Sequence, residues 1–260
     1  MATWIAHLRI AEELLKRIDG LDAAQFAIGN IAPDSGIPDE ERKTFNPPVE
    51  VTHFQPSNVK PRDHHDLDFY RRYLLDPSTH LHLRQVQVSL KAGVQPDSDP
   101  LRFSFRLGYF FHLVTDNLWS QRVGRPTKVR FPEQFAADPD FIWTVKDNWY
   151  GLDFLYVRAH PECLYWRVFL DAQPLAADLD FLPPEVLAQQ LAYIKEYYQR
   201  TDAEIQTMID APYIYFTKEE MDRFILETSV DLQRIHHMLW IDHRDVANLH
   251  SAVSLLTNSQ

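Results

Sequence analysis

The chain has 260 residues, 45% hydrophobic and 24% charged, with a formal net charge of −11. That length can bury a sizeable core, and an acidic balance without a basic footprint argues against general nucleic-acid binding. Seven glycines and one cysteine argue against a mostly β fold and exclude an internal disulfide framework.

Residues 4–18 place Trp4, His7, Leu8, Ala11, Leu14, Leu15 and Ile18 on one stripe at helical spacing. Thr3 is a candidate N-cap, and Gly20 lies just past the end. The opening carries charges throughout, so it does not read as a secretory signal, and the expected location is cytoplasmic. A short second helix is expected over 22–31. From Pro33 to about Pro61 the chain is rich in proline and polar residues and lacks a period, which predicts a long functional or mobile loop. Helices are expected again near 66–75 and 79–91.

Residues 100–121 read as a central buried helix, because apolar residues occupy more than one of its faces. Asp138-Pro139 predicts a helix start with proline at the first position, followed by the stripe Ile142, Val145, Trp149, Leu152 and Tyr156. Further helices are expected over about 161–170 and from Pro183-Pro184 to about 200. "TKEE" at 217–220 has capping-box form, ahead of Met221, Phe224, Ile225, Thr228, Leu232 and Ile235 at helical spacing. No run approaches the ~18 apolar residues of a membrane span. The expected fold is all-α, one helical domain over 1–260, with a metal-binding part at 1–125 and additional helices over 126–260. Segment 172–183 is a possible divide before a C-terminal helical pair.

Chemistry concentrates in "GYFFHLVTDNLW", 108–119. His112 and Asp116 lie one helical turn apart, so both side chains leave the same face. An ionised carboxylate in a core is costly without a partner, and a divalent cation binds it together with a neutral imidazole. Gly108, one turn earlier, suggests space beside His112 for a metal or substrate. His7 on the first helix, Asp34 in "GNIAPDSG" and His53 in "VTHF" complete a set of three histidines and two carboxylates. Mixed nitrogen and oxygen donors suit zinc, and two nearby ions could share a bridging carboxylate. Taken singly, each of these residues also has an ordinary reading, as a core histidine, a turn aspartate or a loop histidine.

The ordered motifs "TWIAHL", "GNIAPDSG", "THF" and "GYFFHLVTDNLW" resemble the zinc-dependent phospholipase C family, which is related in architecture to the P1-type nucleases. The resemblance covers about residues 1–120. It implies an all-helical fold in which Asp34, His53, His112 and Asp116 hold one Zn2+. Asp116 would bridge to a second ion that His7 also binds, and Asp34 is cast as a ligand or as a general base. The implied reaction is metal-assisted attack of water on a small phosphate ester, a phosphodiester or phospholipid headgroup. Two features depart from the family: Trp4 lies inside the first helix, and Arg122 stands where another ligand would be expected. One or two ions are therefore expected instead of three, with Mn2+ or Fe2+ as possible occupants. Trp119, Trp149 and Asp153 are candidate substrate-binding residues.

Other features compete. His53, His65, Asp66 and Asp116 could be arranged as an HD-type metal phosphohydrolase. His236, His237, Asp242 and His243 read as a solvated helix end. "GRPTKVR" at 124–130 reads as a surface loop or as a phosphate cradle. A helical protein that binds metal without catalysis is the alternative of a different class.

Overall fold

The computed structural model describes residues 1–40, 44–56, 63–75, 98–175 and 179–257 and is mostly helical. The expected helix over 79–91 lies outside these residues. Helix α1 spans Trp4–Leu15, and Thr3 accepts a hydrogen bond from the Ala6 N–H as its N-cap. It buries Ile5, Ala6, His7, Leu8, Ile10, Ala11 and Leu14 on the stripe the sequence predicts. Helix α2 spans Ala23–Gly29 and is capped by Asp22.

The expected long loop holds more structure than its composition suggests. A 3-10 turn covers Ala32–Asp34, and a two-stranded antiparallel pair joins β1 (Ile37–Pro38) to β2 (Phe45–Asn46), with Ile37 opposite Asn46. A single helical turn, α3, covers Val49–Thr52. Helix α4 spans Asp66–Tyr73.

Helix α5, Ser98–Trp119, is the centre of the fold. Leu107, Tyr109, Phe110, Phe111, Leu113 and Val114 are all buried, so apolar neighbours surround it. Helix α2 crosses it closely because two glycines meet there. A Cβ at Gly108 would stand 2.4 Å from the Phe26 carbonyl oxygen, and one at Gly29 would stand 2.0 Å from that of Phe105. This corrects the expectation for Gly108: the space beside it is filled by the α2 backbone, not kept for a metal or substrate.

From Trp119 the chain runs through a π-helical stretch, Ser120–Gly124, into α6 (Arg125–Arg130) and then α7 (Pro132–Ala137). The expected surface loop at 124–130 is therefore helical. Helix α8 covers Phe141–Ala159, so Pro139 lies before the helix and Asp140 takes the N-cap position. The expected helix near 161–170 is a π-helical stretch over Tyr165–Phe169. Helices α9 (Pro184–Tyr197) and α10 (Asp202–Ile209) follow, α10 closed by a Thr201–Glu204 capping box. Helix α11 spans Lys218–Trp240 behind the Thr217–Glu220 capping box and buries the predicted stripe from Met221 to Ile235 against α1. A last turn, α12, covers Ser254–Thr257.

Candidate metal centre

Four separate pieces of chain bring polar side chains to one buried point: α1 supplies His7, the 3-10 turn Asp34, the end of α3 His53, and α5 both His112 and Asp116. All five predicted residues meet. Among the described residues, His7, His112 and Asp116 form one grouping of metal-ligand atoms, and Asp34, His53 and His112 another. The Asp116 carboxylate is central. Its Oδ1 lies 3.4 Å from His7 Nε2, and its Oδ2 lies 3.6 Å from His112 Nε2 and 3.8 Å from His53 Nε2. Asp34 Oδ1 stands 3.3 Å from His53 Nε2 and 3.9 Å from His112 Nε2. The backbone N–H of Ala2 also donates to Asp116 Oδ1 at 2.7 Å.

Local structure aims these groups. The Asn30 carbonyl lies 2.8 Å from His112 Nδ1 and can only accept, so Nδ1 carries the hydrogen and the Nε2 lone pair faces the cluster. The close crossing of α2 and α5 at Gly108 sets that distance. His53 sits at the C-cap of α3, and the next residue, Phe54, takes a left-handed conformation at φ 51. That conformation is uncommon for a bulky residue, and it occurs directly beside a ligand-type side chain. The Phe54 ring is fixed by edge contacts to Phe69 and Phe181. The His7 and His112 rings stack in parallel at 3.8 Å.

The protonation states of His7, Asp34 and Asp116 suit a cation. Burial, aided by the neighbouring His112, pushes His7 down to about 4, so it is neutral at pH 7. Burial opposes ionisation of Asp34, but His112 and His53 outweigh it and hold the carboxyl down to about 2. Burial likewise opposes ionisation of Asp116, yet the positive amino terminus and His112 hold it well below the usual carboxylate range. Burial would lower His112, and Asp116 with Asp34 reverses that and raises it.

Whether these residues fit an ion can be tested on the hydrogen bonds. His7 Nε2, His53 Nε2, His112 Nε2 and Asp116 Oδ2 are buried and have no hydrogen-bond partner. Orphaned buried polar atoms are rare because each costs about 1–3 kcal/mol. Four that face one point are explained together by a divalent cation, which binds the neutral imidazole and the ionised carboxylate. Two ligands at ~2.1 Å from a tetrahedral ion lie ~3.4 Å apart, close to the observed separations. The residues fit.

The sequence reading missed His64. Its Nε2 lies 3.6 Å from Asp116 Oδ2, and its ring centre 5.2 Å from that of His53. Burial pushes it down to about 3, with a further push from His53. It sits in an irregular segment without periodicity, next to the more conspicuous His65-Asp66 pair. That pair does not join the cluster. His65 stacks on His250 at 4.5 Å and faces Asp68, while Asp66 is engaged by Asn117, Ser251 and Ala252. The HD-type set His53, His65, Asp66 and Asp116 is therefore not assembled.

Trp119, Trp149 and Asp153 do not join either ligand grouping among the described residues. Trp119 and Trp149 are buried edge-to-face at 5.1 Å, and Trp119 also packs on Phe224. Asp153 accepts from Thr3 Oγ1 at 2.7 Å and from the Tyr198 hydroxyl at 2.6 Å. His237 is exposed and pairs with Asp242, as expected of a solvated helix end, whereas His236 departs from it: the ring stacks on Trp240 and its Nε2 is buried. In the 124–130 segment, Arg125 pairs with Asp63 and Arg130 with Glu220, so these cations are already neutralised.

A different cation shares the field of the cluster. Lys146 on α8 is half-buried, and its Nζ lies 4.6 Å from the Trp143 ring centre. Burial lowers its pKa, and Asp34 and Asp116 pull it back up. Among the described residues it makes no ion pair. Tyr150, one turn further along α8, is raised well above its ordinary value by burial and then by Asp34. An open cleft of about 420 Å³ lies elsewhere, lined by Arg9, Glu12, Glu13, Lys16 and Arg167. Its charges pair with each other and with Asp222.

The fold and the cluster together define a helical protein with a candidate histidine–aspartate metal centre. Comparison with protein-family models, curated proteins and solved structures returns no match to this chain.

Proposed function

We propose that the chain is a metal-dependent hydrolase of phosphate esters, with phosphodiesters as the main substrate class. The observation that carries this reading is the convergence of His7, Asp34, His53, His112 and Asp116 on one point with five of their buried atoms unpartnered. Asp34, His53, His112 and Asp116 would hold one ion, and Asp116 with His7, beside His112, a second; zinc suits the donor set, and manganese or iron would also be accepted. Bound there, the metal supplies Lewis-acid activation of water and neutralises charge on phosphate oxygens.

The chain's own groups supply the rest. Asp116 presents one oxygen to His7 and the other to His112 and His53, so it can serve both halves of the centre. Asp34 is the most exposed of the five at the side chain, 9% against 0–1% for the others, and so stands at the solvent edge. From there it can accept a proton from water. Lys146 favours an anionic substrate, because its charge shares the field of Asp34 and Asp116. The resemblance to the zinc-dependent phospholipase C family supports the same chemistry.

The test is direct. Protein loaded with zinc should hydrolyse bis(p-nitrophenyl) phosphate or a phospholipid headgroup ester. H112A and D116N should lose both bound zinc and turnover. Undiminished turnover by metal-stripped protein would refute the reading. The near-complete burial of the cluster favours one second reading, a structural ion without a reaction. Tight zinc binding with no turnover on any phosphate mono- or diester would select it.

A further inference from the structure

Among the described residues, His64 is the imidazole beside the cluster that the five-residue set leaves unused. The His53 carbonyl lies 3.0 Å from His64 Nδ1 and can only accept, so that nitrogen carries the hydrogen. The Gln55 carboxamide, 3.3 Å from the same nitrogen, has a donor end and an acceptor end of similar shape and is compatible with this tautomer. The Nε2 lone pair therefore faces the lone pairs of Asp116 Oδ2 at 3.6 Å. Two electron-rich atoms held face to face in a buried site repel each other unless a cation lies between them. The same Oδ2 is approached by His112 Nε2 at 3.6 Å and by His53 Nε2 at 3.8 Å.

The backbone of His64 is held by one side chain. Asn117 Oδ1 accepts from the His64 N–H at 2.9 Å, and Asn117 Nδ2 donates to the His64 carbonyl at 2.8 Å. The same Nδ2 reaches Asp66 Oδ2 at 2.8 Å. Asp66 also accepts from Ser251 Oγ at 2.5 Å and from the Ala252 N–H at 2.7 Å. The clamp fixes the backbone from which the His64 ring reaches the cluster.

On the reading that the cluster is a metal centre, we propose that His64 is a further metal ligand on the Oδ2 edge of Asp116. Asn117 and Asp66 are its positioning residues, braced by the C-terminal Ser251–Ala252 segment. Among the described residues the donor set is then four histidines and two aspartates. Metal-ligating histidines usually donate their other ring N–H to a carbonyl or carboxylate, as His64 does to His53.

Metal-free protein is titrated with Zn2+ against a chromophoric chelator, and the visible spectrum of Co2+-loaded protein is recorded. H64A should lose one zinc equivalent or bind at least ~100-fold more weakly, with a changed cobalt spectrum. N117A should weaken binding by about 10–100-fold, and H65A, which alters the half-buried neighbour outside the cluster, should change nothing. Far-ultraviolet circular dichroism of each metal-free variant reports folding, and H64Q replaces H64A if the latter does not fold. Wild-type zinc stoichiometry, affinity and cobalt spectrum in whichever of H64A and H64Q folds would overturn the assignment of His64 alone. Absence of zinc binding by the wild-type chain would overturn the metal reading, and this proposal with it.

Discussion

Replacing Gly108 by alanine tests how the centre is built. The new Cβ would stand 2.4 Å from the Phe26 carbonyl oxygen and 2.9 Å from the Asn30 nitrogen, where ordinary contact begins at 3.4 Å. Helices α2 and α5 must then separate by about 1 Å. Such overpacking costs about 1–3 kcal/mol, while alanine returns about 1 kcal/mol of helix propensity. The expected net loss is up to about 2 kcal/mol, or about 4–8 °C in Tm for a chain of this size. The same displacement lengthens the 2.8 Å contact between His112 Nδ1 and the Asn30 carbonyl to about 3.8 Å, beyond hydrogen-bond range. His112 would lose its fixed orientation, and zinc affinity should fall by about 10–100-fold. Thermal unfolding of the metal-free protein and a zinc competition titration measure the two effects. A G108A protein that melts at or above the wild-type temperature and binds zinc equally well would refute the reasoning.

Zinc at a thousandfold excess over its Kd should stabilise the native state by about 4 kcal/mol, a Tm rise of about 8–16 °C that a chelator reverses; an unchanged Tm would argue against an ion in the fold. Burial pushes Asp153 from its ordinary 3.8 up to about 7. Between those values the unfolded chain gives up the proton while the native state keeps it, so stability falls as pH rises through this window and the loss is complete above about 7. D153N removes the titrating group, so its stability relative to wild type should rise over the window by at most about 4 kcal/mol; parallel Tm curves from pH 4 to 8 would contradict this. K146M should raise KM for anionic diesters and leave bound zinc unchanged; an unchanged KM would remove Lys146 from the substrate path.

The residues of the centre that the sequence revealed are those with a local signature. His112 and Asp116 share a helix face by their spacing, and His7 sits on a clean apolar stripe, so helical geometry alone brings them inward. His64 has no such signature. Its direction comes from a backbone clamp by Asn117, 53 positions away, and from Ser251 and Ala252 beyond that. Asp66 illustrates the opposite error. Beside a histidine it looks like a ligand, yet its oxygens are spent on that clamp. Helices α6, α7 and α10 escaped notice because they are short and mostly exposed, with little apolar periodicity to detect. Gly108 was misread because a gap in a helix surface can equally admit a neighbouring backbone. Only the position of α2 decides between the two.

The clamp on Asp66 also bears on how such a centre matures. Every predicted ligand lies in the first 116 residues, so a chain still under synthesis carries them all early. The donors from Ser251 and Ala252 lie 185 and 186 positions beyond Asp66 and arrive later. Until residue 252 has left the ribosome, the Asp66 carboxylate lacks both, and Asn117 holds His64 without its anchor. The anchor of His64 is thus made later than the ligands themselves.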